Sequence, residues 1–313
     1  MPYDNVISRT DVAALIPEEV SNAILTSLRD QSAALTLFRR ITVPRNQSRL
    51  PVLSALPTAY FVNGDTGLKQ TTEMAWANKY INVEELAAIV PIPETVLDDA
   101  SFDVWGEVRP SLESAIGRTF DAAVFFGVNK PASWPDDILT GTTATGNVYA
   151  RGTNAENKGG IAEDLNQLMA LVEEDGFDVN GFVTARTFRA RLRGARATDG
   201  QKLLDVSTNE LEGVPVRYAM PGLWPQGPGE VEMFAGDFAQ GVVGVRQDFT
   251  YKVLDQAVIQ DNTGAIVYNL AQQDMVALRV TFRVGFQVAN TITWEKQAEG
   301  DRYPFAVLTA PTA

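Results

Sequence analysis

Cysteine and histidine are both absent from the 313-residue chain. Their absence excludes disulfides, thiol nucleophiles, Cys/His metal centres and every catalytic triad whose base is an imidazole. Hydrolytic chemistry would have to run on carboxylates, lysine or tyrosine. No run of about 18 apolar residues occurs, so no membrane-spanning helix is expected. The N-terminus, Met1-Pro2-Tyr3-Asp4, lacks the basic stretch and apolar core of a secretory signal. A soluble protein made in the cytoplasm is expected. Positive charge is scarce: 26 Lys and Arg face 39 Asp and Glu, a formal net charge of −13. A nucleic-acid binder shows the opposite balance, because it must displace counterions from phosphates. For an ordinary protein this charge means solubility only; for a container of DNA it would mean a wall to which phosphate does not stick. No Walker-type loop, GxGxxG after a strand, metal-ligand spacing or repeat of about 20 to 50 residues occurs. No catalytic residue, cofactor or metal ion is expected.

What is present reads as ordered protein. Hydrophobic residues make up 45% and charged ones 21%, and the length suits one large domain or two linked ones. Pro17-Glu18-Glu19 makes a good first helical turn, followed by an apolar stripe of Ile16, Val20, Ile24 and Leu28. That helix is expected to end by Pro44. Residues 48 to 83 read as a long hairpin. Its first arm carries Pro51 and Pro57, which marks an edge strand. Its tip, Asn63-Gly64-Asp65-Thr66-Gly67, is turn chemistry. The return arm places Met74 and Trp76 on one face, with Ile81 and Val83 following after a phase change. Such a ribbon cannot bury both faces within its own domain, so it needs a neighbour.

Further on, Thr95 and Asp98 suggest a capping box. Val104, Val108, Leu112, Ile116, Phe120 and Val124 then recur at i+4, with a kink or restart expected at Pro110 and a left-handed stop at Gly127. From Pro110 to Phe126 the helix would span roughly 25 Å. Residues 140–160 read as a loop rich in Gly, Thr and Asn. A compact α/β region follows: a helix through Ile161, Leu165, Leu168, Met169 and Val172, ended near Gly176, a strand at Phe182 and Val183, and a short helix from Arg186 to Arg193. Strands are expected at 214–219, 231–234, 242–245 and 251–254. The clearest strand runs from Leu278 to Val288, apolar and polar residues alternating.

Three patterns invite chemistry. Asp65-Thr66-Gly67 matches the aspartic-protease triplet, but that mechanism needs two carboxylates sharing a proton and the chain has one copy, set among turn residues. Adjacent acids at Glu84-Glu85, Asp98-Asp99 and Glu173-Glu174-Asp175 fit solvated faces or helix ends better than a site, because sequence neighbours seldom face one point. Arg186, Arg189, Arg191, Arg193 and Arg196 form the dense basic cluster. An inter-subunit role is favoured for it, because arginine forks pair well with carboxylates in an acidic protein; a nucleic-acid patch or a solvated face are the alternatives.

Several stretches carry a resemblance: "WANKYINVEELAAIVPIPETVLDDASFDVWGEVRPSLESAIGRTFDAAVFFG" from Trp76 to Gly127, "EGVPV" from Glu212 to Val216, "FAGDFAQ" from Phe234 to Gln240, and "LRVTFRVGFQVAN" near the end. In order and spacing they resemble the major capsid proteins of tailed bacteriophages, over roughly residues 15 to 295. The resemblance implies an α+β, HK97-like fold: an N-terminal arm at 1–47, an extended loop at 48–82, a peripheral domain at 83–130 plus 265–298 with a spine helix and long strands, an axial domain at 131–264, and a tail at 299–313. It also implies a strand through "IVPIPETVLDDA". The implied function is structural: a virion subunit that assembles into pentamers and hexamers of an icosahedral head around double-stranded DNA, without binding that DNA specifically. A separate scaffolding protein, a portal and a decoration protein are implied partners. Some members crosslink a loop lysine to a neighbour's asparagine with a glutamate's help. Lys69 lies at the loop tip and Asn269 near the corresponding region, with no matching glutamate, so the crosslink is not predicted. Inter-subunit contacts are expected from Tyr60, Phe61, Lys69, Met74 and Trp76 on the loop and from the five arginines. An encapsulin-type shell, a tail-tube or decoration protein, and a carboxylate hydrolase acting through Asp65 are the competing readings.

Overall fold

The computed structural model describes residues 32–59, 61, 69, 71–100, 103–195, 209–220, 222–225 and 227–311. The helix expected at 16–28, the hairpin tip with Asp65, Tyr60 and Arg196 lie outside them. Helices and strands are mixed along the chain. Helix α1 (Ala33–Leu37) leads into β1 (Arg39–Thr42), β2 (Gln47–Ala55) and β3 (Ala75–Pro93). Helices α2 (Glu94–Asp99), α3 (Val104–Phe126) and α4 (Ile138–Thr145) follow, then β4 (Val148–Ala150), α5 (Ile161–Glu174), β5 (Gly181–Thr184) and α6 (Phe188–Gly194). Apart from 3-10 turns at Phe238–Gln240 and Glu299–Asp301, the elements that follow are strands: β6 (Glu210–Leu211), β7 (Val214–Tyr218), β8 (Val231–Gly236), β9 (Gly241–Leu254), β10 (Val258–Gln260), β11 (Ile266–Asn269), β12 (Met275–Val288) and β13 (Phe305–Thr309).

Among the described residues the strands form three sheets. One has the order β1-β9-β12-β3-β2, the second pairs β10 with β11, and the third runs β4-β13-β8-β5-β7-β6. By contacts the chain divides into two units. One contains Glu85–Gly117 and Gln247–Val284, the other Gln31–Glu84, Arg118–Arg246 and Gly285–Ala313.

In the first unit, Ile92 and Val96 are buried with Val104, Trp105 and Val108 against them. Tyr268, Leu270, Met275 and Ala277 form a separate apolar group beneath the β10–β11 ribbon. Phe249 and Phe282 stack at 4.6 Å.

In the second unit, α5 lays Leu165, Leu168 and Val172 against Phe182, Val216, Met233 and Leu308 of the six-stranded sheet. This is the apolar stripe that its 3.6-residue period dictates. Phe38 lies 5.7 to 6.2 Å from the rings of Phe125, Phe238, Phe286 and Phe305. Burying each such ring contributes roughly 2 kcal/mol, so the stretch just after α1 is firmly seated.

Several expectations hold in detail. The hairpin forms, with β2 and β3 antiparallel from Gln47↔Asn82 to Ala55↔Ala75, and β2 lies at the sheet edge. Gly127, at φ +67°, ends α3 as its N–H bonds the Ala123 carbonyl and that of Val128 bonds Ala122.

Others are corrected. The chain after Pro93 is the helix α2, not a continuing strand, and its cap is Pro93 with no side-chain bond, so Thr95 and Asp98 form no capping box. Helix α3 starts at Val104 and runs through Pro110 without a break. The expected pair of strands at 242–245 and 251–254 is one strand, β9. Part of the expected loop is the helix α4, capped by Asp137, whose carboxylate accepts from Thr140 N–H at 3.0 Å, and stopped by Gly146 at φ +81°. The segment expected as a tail contains β13, whose Phe305, Ala306, Val307 and Leu308 are buried between β8 and β4.

Candidate self-assembly surfaces

The hairpin is fixed at its root and apolar further out. Ile81 of β3 is fully buried in a sheet that carries glycine where its side chain needs room. A Cβ on Gly285 would lie 2.7 Å from Ile81 Cγ2 and 2.5 Å from the Asn82 carbonyl oxygen, and one on Gly244 would lie 2.9 Å from Ile81 Cγ2. Polar bonds reinforce this root. Asn82 Nδ2 donates to the Ser133 carbonyl at 2.7 Å, Ser133 Oγ to Glu84 at 2.6 Å, and Gln287 Nε2 to the Tyr80 carbonyl at 3.0 Å. Lys79 Nζ reaches Glu299 at 2.7 Å.

Away from the root one face of the ribbon is open, while Val52 on the other face stays buried. Met74 is 45% exposed, Trp76 62% and Phe61 fully exposed. Lys69 is exposed as well. Tyr80, also open at 48%, is an apolar candidate the sequence reading missed, although its position four residues after Trp76 puts it on the same pleat face. Asn269 ends β11, its side-chain amide donating to Gln272 at 2.8 Å.

The arginine cluster surrounds α6. Phe188 and Leu192 are buried, which leaves Arg191 and Arg193 exposed, as Arg186 is just ahead of the helix. Arg189 lies over the Tyr218 ring at 5.2 Å. Arg191 also reaches Glu232 at 3.2 Å. Glu232 is held by the Arg151 guanidinium, with Nε at 2.5 Å and Nη2 at 3.2 Å. Neither Arg151 nor Glu232 stood out in the sequence, because an ion pair that is 81 residues apart leaves no local signal.

The acidic pairs separate. Glu84 accepts from Ser133, Glu85 pairs with Arg283 at 2.7 Å, and Asp98 and Asp99 are exposed. Asp175, expected on a solvated helix end, is instead fully buried. It accepts from Asn147 Nδ2 at 2.8 Å, Lys296 Nζ at 2.5 Å and the Tyr303 N–H at 2.7 Å. A second buried carboxylate, Asp121 near the end of α3, accepts from Ser32 Oγ at 2.6 Å and the Ala33 and Ala34 N–H groups at 2.9 and 3.0 Å. It thereby ties α1 to α3. Burial pushes its carboxyl up to about 6, although these donors act to lower it. The two carboxylates bind neighbouring segments of the chain, so their role is structural.

The described residues thus present a rooted ribbon with an exposed aromatic face, and a charged helix on a packed α/β sheet. The pattern of the phage capsid family matches residues 12–292. The major capsid protein of Staphylococcus phage 80alpha is 24% identical over 306 residues, which cover 96% of this chain and 89% of that protein. A solved structure from Microbacterium phage Oxtober96 superposes with a TM-score of 0.82 at 39% identity, covering 98% of this chain and all of the other. The capsid of an empty GTA particle, computed with C5 symmetry, has the same fold, with a TM-score of 0.67 at 18% identity over 98% of this chain and 99% of that one. The chain belongs to the phage capsid family, and its fold is the α+β, HK97-like capsid fold.

Proposed function

We propose that this chain is the major capsid subunit of a phage head, forming pentamers and hexamers that close into an icosahedral shell around double-stranded DNA. The exposed aromatic face of the β2–β3 hairpin on a fixed root carries this reading. Aromatic side chains dominate interface energetics, and a ribbon left open on its own subunit is completed by lying across a neighbour. Phe61, Met74 and Trp76 are the anchors among the described residues, with Tyr60 and Lys69 beside them in sequence. The arginines at 186, 189, 191, 193 and 196 supply polar contacts between subunits. Residues 83–130 with 265–298 act as the peripheral part. The axial part, 131–264, is joined by β13. Scaffolding, portal and decoration proteins are separate partners. The subunit has no enzymatic task, is made in the host cytoplasm and ends in the virion. Among the described residues, no helix is long and apolar enough to cross a membrane.

The test is removal of the loop. Replacing residues 58–76 with a short turn is expected to leave a subunit with an unchanged cooperative melt that forms no particles under the electron microscope. Intact shells from that variant would overturn the reading.

A further inference from the structure

The α6 arginines have a matching surface on the same unit, at the other end of the sheet. Strands β5 and β8 pair antiparallel from Gly181↔Gly236 to Thr184↔Met233. Helix α6 follows the C-terminal end of β5. At the opposite end, before β5 and after β8, lies a cleft of about 520 Å³ lined by Asp178, Asn180, Asp237, Thr293, Trp294 and Glu295, among others. Its lining includes three carboxylates and neither lysine nor arginine. The run from Ala185 to Ala195 is the converse, with four arginines and no acid.

Trp294 gives the cleft its character. It is 61% exposed, yet the segment that carries it is pinned on both sides. Thr293 Oγ1 donates to the Asp175 carbonyl at 2.8 Å, and Lys296 Nζ binds the buried Asp175 carboxylate at 2.5 Å. Across the cleft, Asn180 Nδ2 donates to Asp237 at 2.5 Å and Asn180 Oδ1 accepts from Phe238 N–H at 2.9 Å. A large ring held open to solvent on a fixed segment loses little entropy on binding and suits a stacked guanidinium, with carboxylates beside it to take the fork.

We propose that the α6 arginine face of one subunit docks into the Trp294 cleft of an adjacent copy. The proposal rests on the reading of the chain as a self-assembling shell subunit and names the surfaces that meet. The two patches differ and occupy opposite ends of one sheet, so the contact is head-to-tail, and head-to-tail contacts close into rings when the rotation permits.

The test exchanges the charges in the full-length chain. Arg186→Glu with Arg193→Glu inverts two of the four charges of the face, Asp178→Arg with Glu295→Arg inverts two of the three in the cleft, and a third chain carries all four substitutions. Particle yield is read by light scattering and electron microscopy, and folding by the thermal midpoint. Each double variant is expected to melt like the parent and to lose about tenfold or more in particle yield, and Trp294→Ala to fall between, as hot-spot residues do. The fourfold variant is expected to recover most of the yield. Doubles that assemble normally, or a fourfold chain that recovers nothing, overturn the contact, as would closed arginine-variant shells that merely lose co-purifying nucleic acid. A parent chain that forms no particles removes the shell reading as well, whereas parent particles indifferent to the substitutions remove only this pairing.

Discussion

Asp121 joins the first described segment to α3 through a carboxylate with no exposed surface. Its raised pKa has a definite sign for stability. The folded chain holds the proton more tightly than the unfolded one, so this group favours folding most below the ordinary carboxylate value near 3.8. That contribution is lost as pH rises through about 6. The full difference corresponds to about 3 kcal/mol. Denaturant unfolding of the wild type is expected to show this decline between about pH 4 and 6, and Asp121→Asn is expected to lack it. Matching pH profiles would sink the assignment. Asp175 differs in having a cation. Asp175→Ala would leave Lys296 Nζ and the Tyr303 N–H without this acceptor and take one of its acceptors from the Asn147 amide, a loss of about 3 to 5 kcal/mol that should appear in calorimetry as a clearly lower midpoint. Neither residue could be identified from sequence. Asp121 sits within an amphipathic helix and Asp175 in an acidic run, and what buries them comes from residues about 90 to 130 positions away.

At the scale of elements, sequence reading worked where one face is wet and the other dry. Helix α5 and strand β12 show clean 3.6- and 2-residue periods because each buries one side. It failed where both faces are buried or where composition misleads. Strand β13 reads Phe-Ala-Val-Leu-Thr with no alternation, since a strand packed on both faces needs none. Helix α4 is rich in threonine and glycine, poor helix formers, and only its Asp137 cap and Gly146 stop betrayed it. The polar residues Gln247 and Asp248 made β9 look like two strands. For the candidate contact surface, the hairpin and the arginines were recognisable from local pattern, whereas the Trp294 cleft was not, because three separate chain segments build it. The hairpin root offers an element-scale test. Gly285→Ala would drive a methyl into Ile81 and the Asn82 carbonyl, at a cost of about 2 kcal/mol. Denaturant melts should shift accordingly, and assembly should suffer more than folding because the ribbon loses its fixed direction. A neutral substitution would mean that the root is looser than its packing suggests.

For the molecule as a whole, the charge balance predicts how the proposed shell treats DNA. With a net charge of −13, the surface is mostly repulsive to phosphate, so a shell of such subunits should contain DNA without gripping it. At about 0.15 M salt, where unpaired surface charges are screened beyond roughly 8 Å, the purified subunit should not retard duplex DNA in a gel. Retention that weakens steeply with added salt would contradict this and move the arginines to a nucleic-acid role.

The β2 edge has a consequence for what kinds of assembly are open to this protein. A shell protein accumulates to high local concentration, and a bare strand edge under those conditions invites endless strand addition and fibrils. Here the outermost strand carries Pro51, paired opposite Asn78, and the exposed charge of Arg49, two devices that discourage backbone-to-backbone growth. Association is thereby steered from open-ended stacking of main chains to side-chain recognition, which has a defined angle and a last member.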